Sequence, residues 1–395
     1  MSDQPRKLVP FDRTPRRPDP ARVEEFAATA RRLQQEREAA DIVTLALRET
    51  SRDEWPRLAE REDLRTSGVL ERLAKIADTL ERDPQEGLAV ARLATAIADA
   101  IDDNAYPRIV TAQLRAHAWK DLGRALCYLA RYEESLAALD RADTYMDAFG
   151  TLAHDRAIVH FVRAIVLQHL RRFDEASALL DECRVVFLDH GDTRLYGKCT
   201  LASGNLLVRR GDHAKARAQF LELLPTADRE AAAIARCALG WCALHLGAPG
   251  EALEHFTNAS PLLRQLDWEL DVVRASYGAG CALLRLGRLE EAIERLQFAR
   301  ERFTARTLVE EAGLSGLEIV EALVMREELE DAKQLAAKIV AEFASANLNR
   351  RAVAALAYLN EAMTASSATP EIVRSVHAYV SALRLDPTQE FSAPN

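Results

Sequence analysis

Glycine and proline are scarce, at 16 and 14 of 395 residues. An all-β chain of this length draws heavily on both for its turns, so a β-rich fold is excluded. Cysteine is thin too: Cys127, Cys183, Cys199, Cys237, Cys242 and Cys281 are widely spread and form no C-x-x-C. A disulfide scaffold or a zinc ribbon needs tighter or denser spacing. Cys237, Cys242 and His245 come nearest to a metal set, but steps of five and three do not share one helical face, and they read as core residues. No metal or cofactor is expected. The longest uncharged run, about Cys237 to Gly250, falls short of the roughly 20 residues of a bilayer helix. Residues 1–20 lack the apolar stretch of a secretory signal, and a cytoplasmic protein with no membrane association is expected. Lysine supplies only seven of 52 basic side chains, and the net charge is −9. With a pI near 5.6, the basic footprint of a generic nucleic-acid binder is missing.

What the chain has is apolar content, 48%, with Ala and Leu, both strong helix formers, foremost. Residues 1–20 hold five prolines and a local charge of +2 against −11 for the rest, which predicts a disordered basic tail that either stays solvated or docks on a partner. Over 21–66 an N-terminal helical segment is expected. Val23, Phe26, Ala30 and Leu33 recur at helical spacing, Ala40, Val43 and Leu47 resume the stripe, and Trp55-Pro56 interrupts it. This helix either pairs with a second copy or folds back over the first repeat. Residues 386–395 read as a tail.

From about residue 67 the chain repeats. Leu129-Ala-Arg-Tyr-Glu-Glu-Ser returns as Leu170-Arg-Arg-Phe-Asp-Glu-Ala and as Leu286-Gly-Arg-Leu-Glu-Glu-Ala. Aligning Tyr132, Phe173, His213, Pro249, Leu289 and Leu329 gives steps of 41, 40, 36, 40 and 40, with Pro84 and Pro370 roughly in register at the ends. About eight helix pairs over 67–385 follow from that period. Three residues after each turn position stands a small residue (Ser135, Ala176, Ala216, Ala252, Ala292, Ala332). Four further on a large one usually follows (Leu139, Leu180, Phe220, Phe256, Leu296). Nine before the turn position sit Gly123, Ala164, Gly204, Gly240 and Gly280. Glycine inside a helix costs about 1 kcal/mol relative to alanine, so its recurrence points to a second helix in close approach.

Trp119-Lys-Asp-Leu-Gly-Arg-Ala-Leu, followed by Tyr132, Ser135, Leu139 and Ala142, resembles the tetratricopeptide (TPR) signature. The units are longer than the 34 residues of that family, and the signature Trp occurs only at Trp119; the long-unit style resembles that of bacterial regulatory TPR proteins. The resemblance implies an all-α, right-handed superhelical solenoid of antiparallel helix pairs whose first helices line a concave face. Transferring the family's face positions selects Lys120, Arg124, Tyr128, His169, Lys198, Asn205, Arg209, Trp241, His245, Arg274, Tyr277 and Arg285 as peptide- or partner-binding residues. Phe161 and one acid, Glu321, fall in the same register. The set is basic and aromatic, which suits an acidic or carboxylate-bearing peptide or helix. The competing reading pairs these cations with neighbouring acids in the stack. Lys198 with Asn205 resembles the carboxylate clamp of chaperone-binding TPR domains, in one unit only.

No P-loop, H-E-x-x-H or G-x-S-x-G occurs. Gly278-Ala-Gly280 falls within a repeat helix and reads as packing. Glu133-Glu134 and Glu290-Glu291 fall at helix starts, where carboxylates suit the macrodipole. A non-catalytic protein- or peptide-binding scaffold or regulatory adaptor is therefore expected. The alternative is a peptide-sensing transcriptional or signalling regulator, for which only 21–66 offers room for an effector, and it shows no helix-turn-helix.

Overall fold

The structure is a computed structural model that describes residues 20–77, 83–346, 348–365, 367–383 and 388–391. The basic tail expected over 1–20 lies outside them, except for Pro20. Among the described residues every regular element is helical. The chain divides into two compact units, Met1–Arg171 and Arg172–Asn395.

The first unit opens with α1 (Pro20–Glu49), two 3-10 turns (Arg52–Glu60 and Glu62–Leu64), α2 (Ser67–Ala77) and α3 (Pro84–Asp99). It continues through α4 (Arg108–Tyr128), α5 (Tyr132–Met146) and α6 (Ala153–His169). Helix α1 folds back on α2. The approach is close enough that a Cβ on Gly68 would lie 2.6 Å from the Glu36 carbonyl. The Glu36 carboxylate accepts from Ser67 Oγ at 2.8 Å and from Tyr106 Oη at 2.9 Å, and Arg32 lies over the Tyr106 ring. Val43, Trp55, Leu64, Leu73 and Ile97 form the core beneath it.

The second unit runs through α7 (Phe173–Asp189), α8 (Thr193–Arg209), α9 (His213–Leu223), α10 (Arg229–His245) and α11 (Pro249–Gln265). Then come α12 (Glu269–Arg285), α13 (Leu289–Ala305), α14 (Val309–Met325), α15 (Leu329–Ser345), α16 (Arg350–Thr364) and α17 (Pro370–Ala382). Each packs on the next in sequence. The six aligned turn positions are the first residues of α5, α7, α9, α11, α13 and α15.

The turns share one mechanism. Arg131 N–H reaches back to the Leu126 carbonyl at 2.9 Å, and the same six-residue return closes Asp212 on Leu207, Arg288 on Leu283 and Glu328 on Leu323. It requires a left-handed residue just past the helix end. Gly211, Gly247 and Gly287 supply it cheaply, whereas Asp267, Thr307 and Glu327 hold positive φ with a side chain. The acid pairs do lie in first turns, where Glu134 and Glu291 take both guanidinium branches of Arg131 and Arg288.

Helix packing follows the small/large alternation. A Cβ at Gly204 would lie 2.4 Å from the Phe220 ring, and one at Gly123 2.8 Å from Leu139. Phe256 serves two partners, since Gly240 of its own pair and Gly278 of the next both admit its ring. Ser135, Ala176, Ala216, Ala252, Ala292 and Ala332 are all fully buried. The glycines of the first helices thus let the second helices plug in.

Candidate functional site

On α4 of the first unit, Lys120, Arg124 and Tyr128 recur every four residues and share a face. Lys120 Nζ lies 3.1 Å from Asp121, with Arg124 4.0 Å from the same carboxylate, so this acid neutralises much of the local positive charge. Tyr128 is exposed, and His169 stacks on Tyr132 with ring centroids 5.2 Å apart. Lys120 and Asp121 border a cleft of about 390 Å³ floored by Leu70, Leu73, Ala91 and Ala94. Nearby, Asp155 accepts from His117 and Gln113. The His117 hydrogen bond, against the pull of burial, holds Asp155 below the usual carboxylate range. Burial would push Asp143 up, but hydrogen bonds from His160 and Arg156 bring it down to about 2.

In the second unit, α8 presents Lys198, Asn205 and Arg209 on one exposed face. Lys198 and Asn205 have no hydrogen-bond or ion-pair partner among the described residues. On α10, Trp241 is half-buried, edge-on to Phe256 and tilted against Tyr277 at 5.7 Å. His245 stacks on His213 at 4.1 Å with rings nearly parallel, and burial, then the neighbouring imidazole, lowers its pKa.

On α12 the expected basic residues are paired. Arg274 sits 3.1 Å from Asp271. Arg285 spans two carboxylates of α14, with Nη1 2.6 Å from Glu321 and Nη2 3.1 Å from Glu318. Glu318 and Glu321 are only 4% and 2% exposed. Burial raises the Glu321 pKa despite Arg285. Tyr277 Oη lies 3.1 Å from His377 Nε2 of α17, which is also 3.4 Å from Glu318, while Arg374 reaches Glu321 at 3.6 Å. Burial lowers the His377 pKa and pushes the Tyr277 hydroxyl well up.

The face is therefore not uniform. Trp241 and Tyr277 meet, Lys198 and Asn205 stay open, and Lys120, Arg274 and Arg285 sit beside acids. Glu318, Arg374 and His377 fall outside the sequence-derived set. Glu318 occupies a helix position that the family register skips, and the other two belong to a helix that the repeat pattern places elsewhere.

No group of three His, Cys, Asp or Glu among the described residues could hold a metal ion, and no helix among them is long and apolar enough to cross a membrane. Burial pushes the Cys237 thiol up to about 12 and the Cys242 thiol up to about 11.

No protein-family model matches the chain, and no curated protein matches it. Among solved structures it is similar to a signal transduction ATPase with numerous domains (STAND) from Pyrococcus horikoshii that carries a tetratricopeptide repeat sensor. Identity is 13% and the TM-score 0.60, over 90% of this chain and 54% of that one, so the chain spans about half the length of that protein. It is also similar to the apo quorum sensor NprR from B. thuringiensis, at 14% identity and a TM-score of 0.57 over 92% and 99% of the two chains. Aspartyl phosphate phosphatase F from Bacillus subtilis aligns at 12% identity and a TM-score of 0.51, over 71% of this chain and 70% of that one. At these identities the likeness is one of fold, and the chain has the tetratricopeptide-type fold, an all-α solenoid of antiparallel helix pairs.

Proposed function

We propose that the chain is a non-catalytic, peptide-binding regulatory adaptor that captures a carboxylate-bearing segment on the first-helix face of its second unit. The observation that carries this reading is the pair Lys198 and Asn205. An ammonium and an amide stand seven residues apart on one exposed face of α8, with no partner among the described residues. An ammonium beside an amide suits a carboxylate, which accepts charge-assisted hydrogen bonds from both. Half-buried Trp241, on α10, adds the rigid aromatic surface typical of binding hot spots.

A sensor of a small peptide is the second reading. NprR, named as a quorum sensor, is covered almost end to end by this chain, and the STAND protein is described by its repeat sensor. Both readings use the same face and differ in whether the ligand is a free peptide or part of a protein.

A fluorescence-anisotropy screen of peptides with free and amidated C-termini tests the proposal. Free-carboxylate or acidic peptides should bind, and Lys198→Glu with Asn205→Asp should weaken them at least tenfold while leaving helicity unchanged. Equal binding of those peptides to wild type and to the folded double variant refutes the site.

A further inference from the structure

First helices of this fold keep one face open, as α8 does with Lys198 and Asn205. Helix α14 does not: every residue from Ala312 to Val324 is buried. Helix α10 packs on α8, α12 on α10 and α14 on α12, and α17 then packs across α14 while α16 lies on α15. Helix α17 brings an apolar edge, Val373, Val376 and Val380, into the α14 core. Beside it stand two basic side chains three residues apart. Arg374 faces Glu321 and His377 faces Glu318, and the acids are likewise three apart in reversed order. The two helices thus form an antiparallel ladder of one ion pair and one imidazole–carboxylate contact. Without α17, two carboxylates would face the single guanidinium of Arg285.

We propose that the α12–α14 stretch is a receptor for a basic amphipathic helix and that α17 is the occupant the chain itself supplies. The proposal rests on the reading that the first-helix face is the binding surface, and it gives this stretch the opposite charge preference to α8. The matching ligand has apolar residues at positions i, i+3 and i+7, with a cation at i+1 and an imidazole at i+4, the pattern of Val373, Arg374, Val376, His377 and Val380. Burying the charged partners gives the contact specificity more than net strength. The buried valines hold α17 in place, and its tether makes the docking intramolecular. A partner helix of the same pattern competes once it is abundant or binds better.

The test uses the full chain and a fluorescein-labelled synthetic peptide of residues 369–383. In Arg374→Glu/His377→Asp, α17 meets Glu318 and Glu321 with like charge, leaves the face, and the labelled peptide should bind at least tenfold tighter than to wild type. Adding Glu318→Gln and Glu321→Gln should remove that gain. A helical double variant that binds the peptide no better than wild type overturns the proposal. Hydrogen exchange on wild type covers the case in which the double variant does not fold. Excess peptide, but not a scrambled one, should speed exchange over 370–382, and unchanged protection there also overturns it. Carboxylate-peptide binding measured on the same proteins separates this outcome from failure of the α8 site, because the two probes differ in charge.

Discussion

Replacing Arg285 with Met tests the buried charge cluster most directly. The substitution keeps the aliphatic stem but leaves Glu318 and Glu321, 4% and 2% exposed, with only Arg374 at 3.6 Å and His377 at 3.4 Å. Removing one partner of a buried pair costs about 3–5 kcal/mol. The Arg285 side chain is itself 33% exposed, which puts the expectation near the lower end, about 3 kcal/mol. In a repeat stack such a loss stays with nearest neighbours, so the apt assay is hydrogen exchange resolved by helix. Amides of α14 and α17 should exchange roughly a hundredfold faster at pH 7, since about 1.4 kcal/mol is a factor of ten. The pH dependence has a definite sign. The folded-state pKa of Glu321 is already raised by burial, and losing Arg285 raises it further. The folded state then binds the extra proton, so the defect should shrink as pH falls from 7 towards 5. The companion Arg285→Met/Glu318→Leu/Glu321→Leu removes all three charges and should recover most of the loss. Protection of α14 and α17 unchanged by Arg285→Met, at pH 7 and 5 alike, would mean that the ion pairs contribute nothing and that the apolar contacts alone hold α17.

Three further outcomes are expected in other parts of the molecule. Gly278→Ala places a Cβ 2.4 Å from the Phe256 ring; overpacking of about 1–3 kcal/mol outweighs the helix-propensity gain of about 1 kcal/mol, so thermal stability should drop and Phe256→Leu in the same chain should restore part of it. Thr307 holds φ at +57° in a turn of the kind that Gly287 makes one helix earlier; Thr307→Gly should stabilise by about 1 kcal/mol in urea unfolding, and a neutral or negative change would count against the turn mechanism. His245 should titrate below the ordinary histidine value by NMR because of burial, then His213; its contribution to stability is present above the unfolded value and lost as pH falls through the folded one, and His213→Gln should move its titration back up.

The architecture was legible because its signals are local and recur. Tyr132, Phe173, His213, Pro249, Leu289 and Leu329 open second helices, since a short turn and a small residue must return each time a pair closes. Gly123, Gly204, Gly240 and Gly280 face the large residue of the partner helix, the one arrangement in which an interior glycine repays its propensity cost. The polarity of the face was much less legible. Lys120 is set against Asp121, its neighbour in sequence, and Arg274 against Asp271, one turn back; both acids were visible, but whether a side chain turns to them or to the face is a matter of rotamer. Arg285 pairs across helices with Glu318, a position that the transferred face passes over. Helix α17 could not be placed from its sequence. Pro370 marks its start in register with the repeat, yet its valines pack across α14. It packs on α16, as the register expects, and also across α14, where the partners of Arg374 and His377 are carboxylates of a helix some fifty residues away in sequence.

Those carboxylates also bear on how a ligand would run along the second unit. Open cationic and amide groups stand at α8, and two carboxylates lie under α17 at α14. A segment long enough to span both would need its negative group at α8 and its positive group at α14. Reversing it would place like charges together at both ends, and such mismatches suppress a wrong register more than matches strengthen the right one. Polarity would then fix direction even where the apolar contacts tolerate either. A peptide carrying a C-terminal carboxylate and an N-terminal Val-Arg-x-Val-His stretch should therefore bind the Arg374→Glu/His377→Asp chain more tightly than its sequence-reversed counterpart. Equal affinity for the two would show that the ends act independently and that the face reads local charge without reading order.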